Sequence, residues 1–290
     1  MVMNIEAVTP DFAASVTGVD LRQTLSDDSL SQIKQAMARY GVLIFRDQPL
    51  NDDQHAAFTR RFGPIDKGLL LGSQKRKRRL SNADVIDLAN VDPEGNVLPA
   101  ENSRNVSLIA NQFWHSDSSF KDPPAKYSIL CGIDLPESGG ETEFADQRAA
   151  YDALSDALKA RIENLIAEHW AFHSRAMLGG SNHTAEEMDA LPSVHWPLVH
   201  TIPESGRKSL FIGIHTREIA GIPTAEARML LHELLEQATQ RQFVHRHNWQ
   251  NHDVLMWDNQ CTLHRGRPYD LNKLRALRRC TTEVVLENVG

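Results

Sequence analysis

Short apolar runs separated by turn residues fill the chain from about residue 105 onward, and they constrain its fold more than any other feature. The clearest runs are 127–133, 142–145, 209–214, 254–257 and 280–286. Runs of this length, bounded by glycine, proline and asparagine, are typical of buried strands. Helical patterns precede them at 26–40 and 51–62 and interrupt them at 146–165 and 224–239. We therefore expect a mainly β protein with helical insertions, built on a jelly-roll core.

Residues that cap helices mark the ends of the helical segments. Ser26 precedes an apolar stripe at helical spacing and Gly41 ends it, while Asn51 and Thr224 are expected to begin two further helices. The chain shows neither an internal repeat nor a linker. We therefore expect residues 1–290 to form a single domain.

The composition excludes several classes of protein. A net charge of −7 argues against general nucleic-acid binding, and no apolar run approaches the ~20 residues that a helix needs to span a bilayer. The N-terminus lacks the basic and apolar regions of a secretory signal. Three scattered cysteines, Cys131, Cys261 and Cys280, argue against a disulfide framework. We expect a cytoplasmic protein without nucleic-acid or membrane partners.

A histidine and an aspartate two residues apart, His115 and Asp117, are the first candidates for chemistry. In an extended segment their side chains point to the same side. His264, which follows the apolar run 254–257 by one turn, can supply a third ligand. Two histidines and one carboxylate on one face of a metal leave three positions open, as non-haem Fe(II) oxygenases require. Because His-x-Asp pairs occur often by chance as surface groups, this interpretation depends on the features that follow.

Two arginines downstream of the third ligand strengthen the metal interpretation. In the run 274–279, strand alternation puts Arg275 and Arg279 on one face and Arg278 on the other. Arginines that point into a barrel need anionic partners, and their guanidinium groups match carboxylates in bidentate geometry. An inward pair beside a metal therefore predicts carboxylate ligands. A solvated, cationic edge strand is the alternative, above all for Arg278.

A Gly-Gly turn is the third supporting feature. Gly139 and Gly140 form a tight turn before Thr142, which begins a strand. Thr142 can donate a hydrogen bond to a ligand carboxylate, and a plain hairpin turn is the alternative.

Other histidines compete as metal ligands. His245, His247 and His252 flank a polar loop, and we interpret them as surface residues. His195 and His200 can line a pocket. His232 lacks the second histidine of a zinc-protease helix, so we interpret it as part of an ordinary helix face.

Residues 65–105 are the least regular part of the sequence and contain a basic run at 75–79. Such a run can serve nuclear import or nucleic-acid binding. In an acidic protein we favour a solvated loop. A lid close to an anionic substrate is a third interpretation, since long irregular loops in compact domains are often lids.

The whole set of motifs resembles the Fe(II)/2-oxoglutarate dioxygenases of the taurine dioxygenase group. The likeness is carried by His115-x-Asp117, Gly139-Gly140-x-Thr142, Trp257-Asp258-Asn259, His264, Arg275 and Arg279. Within that family, the chain is most similar to the 2,4-dichlorophenoxyacetate dioxygenases. That closer likeness is carried by segments 113–120, 138–144, 148–154 and 206–208, and further similar segments at 45–50 and 61–64 extend it nearly end to end.

The resemblance implies a double-stranded β-helix, the jelly-roll fold, with helical insertions. It implies that His115, Asp117 and His264 bind Fe(II). The co-substrates would be 2-oxoglutarate and O2, with ascorbate as the reductant. The resemblance also implies a homo-oligomer.

The same resemblance assigns the anion-binding residues. Arg275, helped by Thr142, would pair with the distal carboxylate of 2-oxoglutarate. Arg279 would meet the carboxylate of the primary substrate, a small molecule. For an aryloxyacetate, hydroxylation next to that carboxylate would give a phenol, glyoxylate, succinate and CO2.

Three positions depart from the phenoxyacetate enzymes. Ile202 stands where they carry a pocket histidine, and Leu71 and Asn96 stand where they carry basic residues. A dioxygenase of taurine or another alkylsulfonate, or of another aromatic carboxylate, is therefore the alternative within this class. Outside it stand a non-catalytic jelly-roll binding module and a zinc hydrolase. The triad with both arginines argues against the first, and the lack of an obvious general base beside the metal argues against the second.

Overall fold

The computed structural model describes residues 2–67, 79–102, 108–179 and 184–285. The strands in these ranges are β1 (Asn4–Ala7), β2 (Ala13–Thr17), β3 (Val42–Phe45), β4 (Ile86–Ala89), β5 (Ala125–Asp134), β6 (Thr142–Asp146), β7 (Ile166–His169), β8 (Val194–Pro197), β9 (Val199–Thr201), β10 (Lys208–Leu210), β11 (Thr216–Ile219), β12 (Val244–His247), β13 (Val254–Asp258), β14 (Thr262–Gly266) and β15 (Ala276–Glu283). The helices are α1 (Asp27–Tyr40), α2 (Asp52–Arg60), α3 (Gln147–Asp152), α4 (Asp156–Ile162), α5 (Ala171–Met177), α6 (Ala185–Ala190) and α7 (Thr224–Ala238). The expected sheets with helical insertions are therefore confirmed.

Two sheets frame the interior of the protein. The larger has seven strands in the order β1-β2-β3-β13-β5-β15-β4, and the smaller has the order β12-β6-β14. Strand β2 pairs with β3 in parallel, whereas the other ladders of these sheets are antiparallel. Two further small sheets, β10-β9 and β11-β7-β8, belong to the insertions.

Alternating side chains of the central strand β13 supply two different cores. Val254 and Met256 pack on the side covered by α1 and α2. Leu255 and Trp257 pack on the other side, where Phe144 of the smaller sheet meets them, and the rings of Phe144 and Trp257 lie 5.4 Å apart. Because side chains alternate along β13, one set packs in the helix-covered layer and the other packs between the two sheets.

Local capping chemistry decides where the first helices begin. Ser26 accepts from the backbone of Ser29 at 3.2 Å, and Gly41 ends α1 with a φ of 79°. Asn51 forms a capping box at the start of α2. Thr224 is wrong as an N-cap, because it is the first helical residue of α7 and follows Pro223, which has no capping side chain.

Three segments differ from the sequence expectation. Residues 86–89, inside the region expected to be irregular, form β4 beside β15. Residues 108–110 form a helical turn rather than β structure. The strand expected at 209–214 ends at Leu210, and the chain then turns through Gly213 at a φ of 148°. There the backbone approaches His115 closely, since a Cβ on Gly213 would lie 3.4 Å from the Cα of His115.

All three cysteines are buried and free. Each helix in the described ranges is too short or too polar to cross a bilayer.

Candidate metal centre and its cavity

The three predicted ligands, His115, Asp117 and His264, converge in the structure. Their ligand atoms lie within 4.8 Å of one another, the one such group among the described residues, and all three side chains are buried. Asp117 Oδ1 lies 4.0 Å from His115 Nε2, and Asp117 Oδ2 lies 3.7 Å from His264 Nε2. The geometry therefore matches a facial set of two nitrogens and one oxygen.

Backbone pairing brings the two histidines together. The amide of His115 donates to the carbonyl of His264 at 3.0 Å, and the reverse bond measures 2.8 Å. This bridge adds His115 to the edge of β14, so the imidazole centroids lie 4.1 Å apart. The extended conformation expected around Asp117 does not continue, because Ser118 turns the chain with a φ of 46°.

A hydrogen bond fixes the tautomer of His115. Its Nδ1 donates to the carbonyl of Phe113 at 2.7 Å. The lone pair of Nε2 is then left for a metal, in the usual arrangement of a ligating histidine.

Asp117 is held by polar side chains that the sequence analysis did not identify. Ser128 Oγ donates to Asp117 Oδ2 at 2.7 Å, and the amide of Asp117 donates to Asn259 Oδ1 at 3.1 Å. Asn259 in turn accepts from the indole of Trp257 at 3.0 Å and donates to Ser128 at 2.9 Å. The Trp-Asp-Asn motif therefore works as a support for the carboxylate.

The charge states suit a divalent metal. Burial raises the pKa of Asp117, but the guanidinium of Arg279 opposes this effect, and the net pKa lies below its ordinary value. Burial lowers the pKa of His115 and of His264. An ionised carboxylate and two neutral imidazoles are the forms that bind Fe(II), so the residues present fit the metal that the motifs imply.

The alternation expected in β15 is confirmed. Arg275, Leu277 and Arg279 line a cavity of about 50 Å³ together with His115 and His264. Arg278 points to the opposite side and pairs with Asp52 of α2 at 2.6 Å. Strand β15 lies between β5 and β4, so the edge-strand alternative is wrong.

Arg275 is buried and only partly satisfied. One of its Nη groups donates to the carbonyl of Gly140 at 2.8 Å, whereas its Nε has no hydrogen-bond partner among the described residues. Burial lowers the pKa of this guanidinium. The side chain of Asn90 accepts from the amide of Arg275 at 2.9 Å. This support was not predicted, because Asn90 lies in the region expected to be irregular.

Thr142 lies where the sequence placed it, at the start of β6 and in the wall of the same cavity. Its Oγ1 accepts from the indole of Trp249 at 3.0 Å. Gly139 and Gly140 form the expected turn, with φ values of 77° and 72°.

The competing histidines fall into two groups. His252 is exposed, as expected for a surface residue, and so is His232. His245 and His247 are buried, so the surface interpretation is wrong for both. The pairing of β12 with β6 buries them, and His247 Nε2 lies 3.0 Å from Asp253 Oδ2.

His215 is a neighbour of the centre that sequence reasoning missed. Its ring lies 6.3 Å from that of His115 and packs edge-on against Phe120 at 4.7 Å. Burial lowers its pKa well below the ordinary value. The turn at Gly213 places His215 near the metal centre. The sequence predicts a strand through residue 214, and that prediction gives no reason to expect His215 at the site.

Two of the three positions that depart from the phenoxyacetate enzymes lie in the described part of the chain. Ile202 is buried beside a cavity of about 750 Å³ that shares no lining residue with the cavity at the metal centre. Asn96 lies in an exposed turn, where it hydrogen-bonds Asp92. Leu71 and residues 75–78 of the basic run lie outside the described residues, whereas Arg79 pairs with Asp87 at 2.6 Å.

A facial donor set beside a cavity with two arginines defines a class of protein, the mononuclear metal enzymes that bind anionic ligands. The chain belongs to the family described as "Taurine catabolism dioxygenase TauD, TfdA family", whose model matches residues 4–281. The family expected from the motifs, and with it the class of 2-oxoglutarate-dependent dioxygenases, is therefore confirmed.

Individual relatives agree with this membership. The chain is 50% identical to the alpha-ketoglutarate-dependent 2,4-dichlorophenoxyacetate dioxygenase of Cupriavidus pinatubonensis, over 94% of this chain and 95% of the relative. It is 35% identical to the (S)-phenoxypropionate/alpha-ketoglutarate-dioxygenase of Sphingobium herbicidovorans, over 94% and 92%. Among solved structures, AAD-2 in complex with Mn(II) and N-oxalylglycine superposes with a TM-score of 0.91 at 39% identity and covers 100% of both chains. The expected likeness to phenoxyacetate dioxygenases is thus confirmed.

Proposed function

We propose that the chain hydroxylates the carbon next to the carboxylate of an aryloxyacetate such as 2,4-dichlorophenoxyacetate, using Fe(II), 2-oxoglutarate and O2. One oxygen atom of O2 enters the substrate, and the other enters the succinate that forms with CO2 from 2-oxoglutarate. The hydroxylated carbon then carries both OH and the aryloxy group, and this hemiacetal breaks down to a phenol and glyoxylate. One observation carries the proposal: His115 and His264, which cluster with Asp117, line one cavity together with the two inward arginines.

In this proposal His115, Asp117 and His264 hold the iron. When bound, the metal supplies the oxidative chemistry that couples decarboxylation of the keto acid to hydroxylation of the substrate. The residues around it supply orientation: the carbonyl of Phe113 fixes one imidazole, and Ser128 fixes the carboxylate. Loss of such supports typically costs about 10- to 100-fold in metal affinity or activity.

Arg275 and Thr142 would bind the distal carboxylate of 2-oxoglutarate. Two buried donors support this assignment, the Nε of Arg275 and the hydroxyl hydrogen of Thr142. A buried cation without an anion is costly, so a carboxylate that accepts from both groups stabilises this end of the cavity.

Arg279 would bind the carboxylate of the primary substrate. It already donates to Asp117 through one Nη, and its Nε has no partner among the described residues. A guanidinium carries five N–H donors, so it can serve the metal ligand and a substrate carboxylate together. This shared contact would place the carbon next to the carboxylate close to the metal.

The remaining expectations form part of the same proposal. We interpret the seven-stranded and three-stranded sheets as a double-stranded β-helix, and residues 1–290 as one domain. Three buried free thiols support a reducing, cytoplasmic setting. The homo-oligomer and the use of ascorbate as reductant rest on the resemblance alone.

The deciding experiment measures succinate formed from 2-oxoglutarate with Fe(II) and ascorbate, in the presence of single candidate substrates. The panel contains phenoxyacetate, 2,4-dichlorophenoxyacetate, both 2-phenoxypropionates, cinnamate and taurine. Release of a phenol in equal amount with succinate from an aryloxyacetate is the expected result. Succinate stimulated by taurine alone would move the chain to the sulfonate branch, and hydrolysis of a substrate by a zinc-loaded protein would overturn the oxygenase assignment.

A further inference from the structure

A tryptophan outside the triad determines how Thr142 can bind a ligand. Trp249, in the turn between β12 and β13, donates its indole N–H to Thr142 Oγ1 at 3.0 Å. The indole nitrogen is only a donor, so the hydroxyl must act as the acceptor in this bond. The single hydrogen of Thr142 is therefore directed to a different acceptor. Thr142 is 4% exposed and lines the cavity together with Arg275, so that acceptor would be a ligand in the cavity.

The structure holds Trp249 from two sides. Its ring packs edge-on against His247 at 4.9 Å and an angle of 85°, and His247 is fixed in turn by Asp253 at 3.0 Å. On the other side the indole lies on Gly132 of β5. A Cβ at Gly132 would come within 3.0 Å of Trp249 Cε3, so the absence of a side chain there permits the contact.

We propose that Trp249 is a positioning residue for the keto-acid co-substrate, acting through Thr142. The inference rests on the proposed function, because it takes Arg275 and Thr142 as the site of the distal carboxylate. By occupying one lone pair of Thr142, the indole turns the hydroxyl hydrogen toward that carboxylate. Without the indole, the hydroxyl is free to rotate, and the bond to the ligand is formed at the cost of rotational freedom.

The test uses Mn(II)-loaded protein and N-oxalylglycine, an unreactive analogue of 2-oxoglutarate, with Kd measured by calorimetry. Trp249→Phe removes the indole N–H and keeps an aromatic ring. We expect its Kd to rise about 3- to 10-fold, the range for one hydrogen bond. Thr142→Val should raise Kd by itself, and the double variant should bind no more weakly than Thr142→Val. This loss of additivity is the signature of an effect transmitted through Thr142.

Two further variants separate positioning from general damage. Trp170→Phe makes the same change at another half-buried tryptophan, which does not line the cavity. The indole of Trp170 donates to the carbonyl of Leu191 at 3.3 Å. The Kd of this variant for N-oxalylglycine should equal that of the wild type. Gly132→Ala keeps the indole but displaces it by a few tenths of an ångström. It should weaken binding in the same direction and serves if Trp249→Phe does not fold.

Steady-state kinetics provide a second readout. In Trp249→Phe the KM for 2-oxoglutarate should rise while kcat and the KM for the aryloxyacetate stay close to those of the wild type. An unchanged Kd in both Trp249→Phe and Gly132→Ala, or additive losses in the double variant, would overturn the inference while leaving the proposed function intact. Failure of the wild-type protein to bind N-oxalylglycine would overturn both.

Discussion

The guanidinium of Arg279 donates to Asp117, the carboxylate that lies between the two imidazoles of the metal centre. The contact joins the proposed substrate site to the metal ligands through one side chain. It also helps to keep the buried carboxylate ionised, because a cation next to a carboxylate lowers its pKa. Arg279 would therefore have two electrostatic roles, one toward the buried metal ligand Asp117 and one toward the substrate.

Arg279→Gln should weaken substrate binding more than it weakens co-substrate binding. We expect the KM for an aryloxyacetate to rise by about 10- to 100-fold, since a hydrogen bond to a charged group is worth roughly 1.5–3 kcal/mol. The KM for 2-oxoglutarate should change much less. Arg278→Gln is the matched control, because this neighbour points away from the cavity and pairs with Asp52. Equal effects of the two substitutions on the KM for the aryloxyacetate would refute the assigned substrate pose.

Gly140→Ala should impair the co-substrate site. A Cβ there would lie 2.7 Å from Arg275 Nε, and the φ of 72° adds backbone strain. We expect a higher KM for 2-oxoglutarate together with a lower Tm. Gly206→Ala carries similar strain at a φ of 67° but meets no atom within 4 Å. The strain should cost about 1 kcal/mol of stability and so lower Tm. The KM for 2-oxoglutarate should not change.

Metal binding should stabilise the native protein through the triad. Protein stripped by a chelator should regain stability on addition of Mn(II), by about 2.7 kcal/mol when the free metal is a hundred times its Kd. His264→Ala should abolish this gain, which chemical denaturation can measure. His232→Ala, a change at an exposed helical histidine, should preserve it. A full gain of stability in His264→Ala would show that the metal binds elsewhere.

Acid should destabilise the protein through His55, which is buried under the seven-stranded sheet. Burial lowers the pKa of His55 to about 4, and its Nε2 lies 3.1 Å from the carbonyl of Ile129. Because the folded-state pKa lies below the unfolded value near 6.5, the unfolded chain binds the proton first. Stability is therefore lost as the pH falls from about 6.5 towards 4.

The size of this effect can be measured directly. His55 alone should cost about 2 kcal/mol of unfolding free energy between pH 7 and pH 5. Urea unfolding at both pH values checks the figure, and His55→Gln should reduce the loss. An identical loss in His55→Gln would assign the acid sensitivity to other groups.

Features encoded by neighbouring residues were predictable from the sequence. The limits of α1 follow from Ser26 and Gly41, whose capping roles need only a few adjacent residues. The two faces of β15 follow from alternation, and the triad follows from the kinds of residue that bind Fe(II). These predictions needed no knowledge of which strands pair.

Features that depend on distant pairing were not predictable. His247 was interpreted as a surface residue because its buried partner, Asp253, becomes visible only when the turn between β12 and β13 closes. Ser128 and Asn259 support Asp117 from β5 and from the end of β13, and neither forms a recognisable motif with it. Asn90 reaches Arg275 from a segment whose composition suggested a loop.

Arg275, directly before β15, and Arg279, within it, set the spacing of the two proposed carboxylate sites. Arg275 and Arg279 are four residues apart, roughly 13 Å along an extended backbone, and both line one cavity. Inserting or deleting a single residue between them would turn one arginine to the α2 side and separate the two sites. The distance between the two proposed carboxylate sites would thus be fixed by one short backbone segment, most of which pairs with a neighbouring strand on each side. Under this proposal, a change of substrate would come from the residues around the two arginines rather than from their spacing.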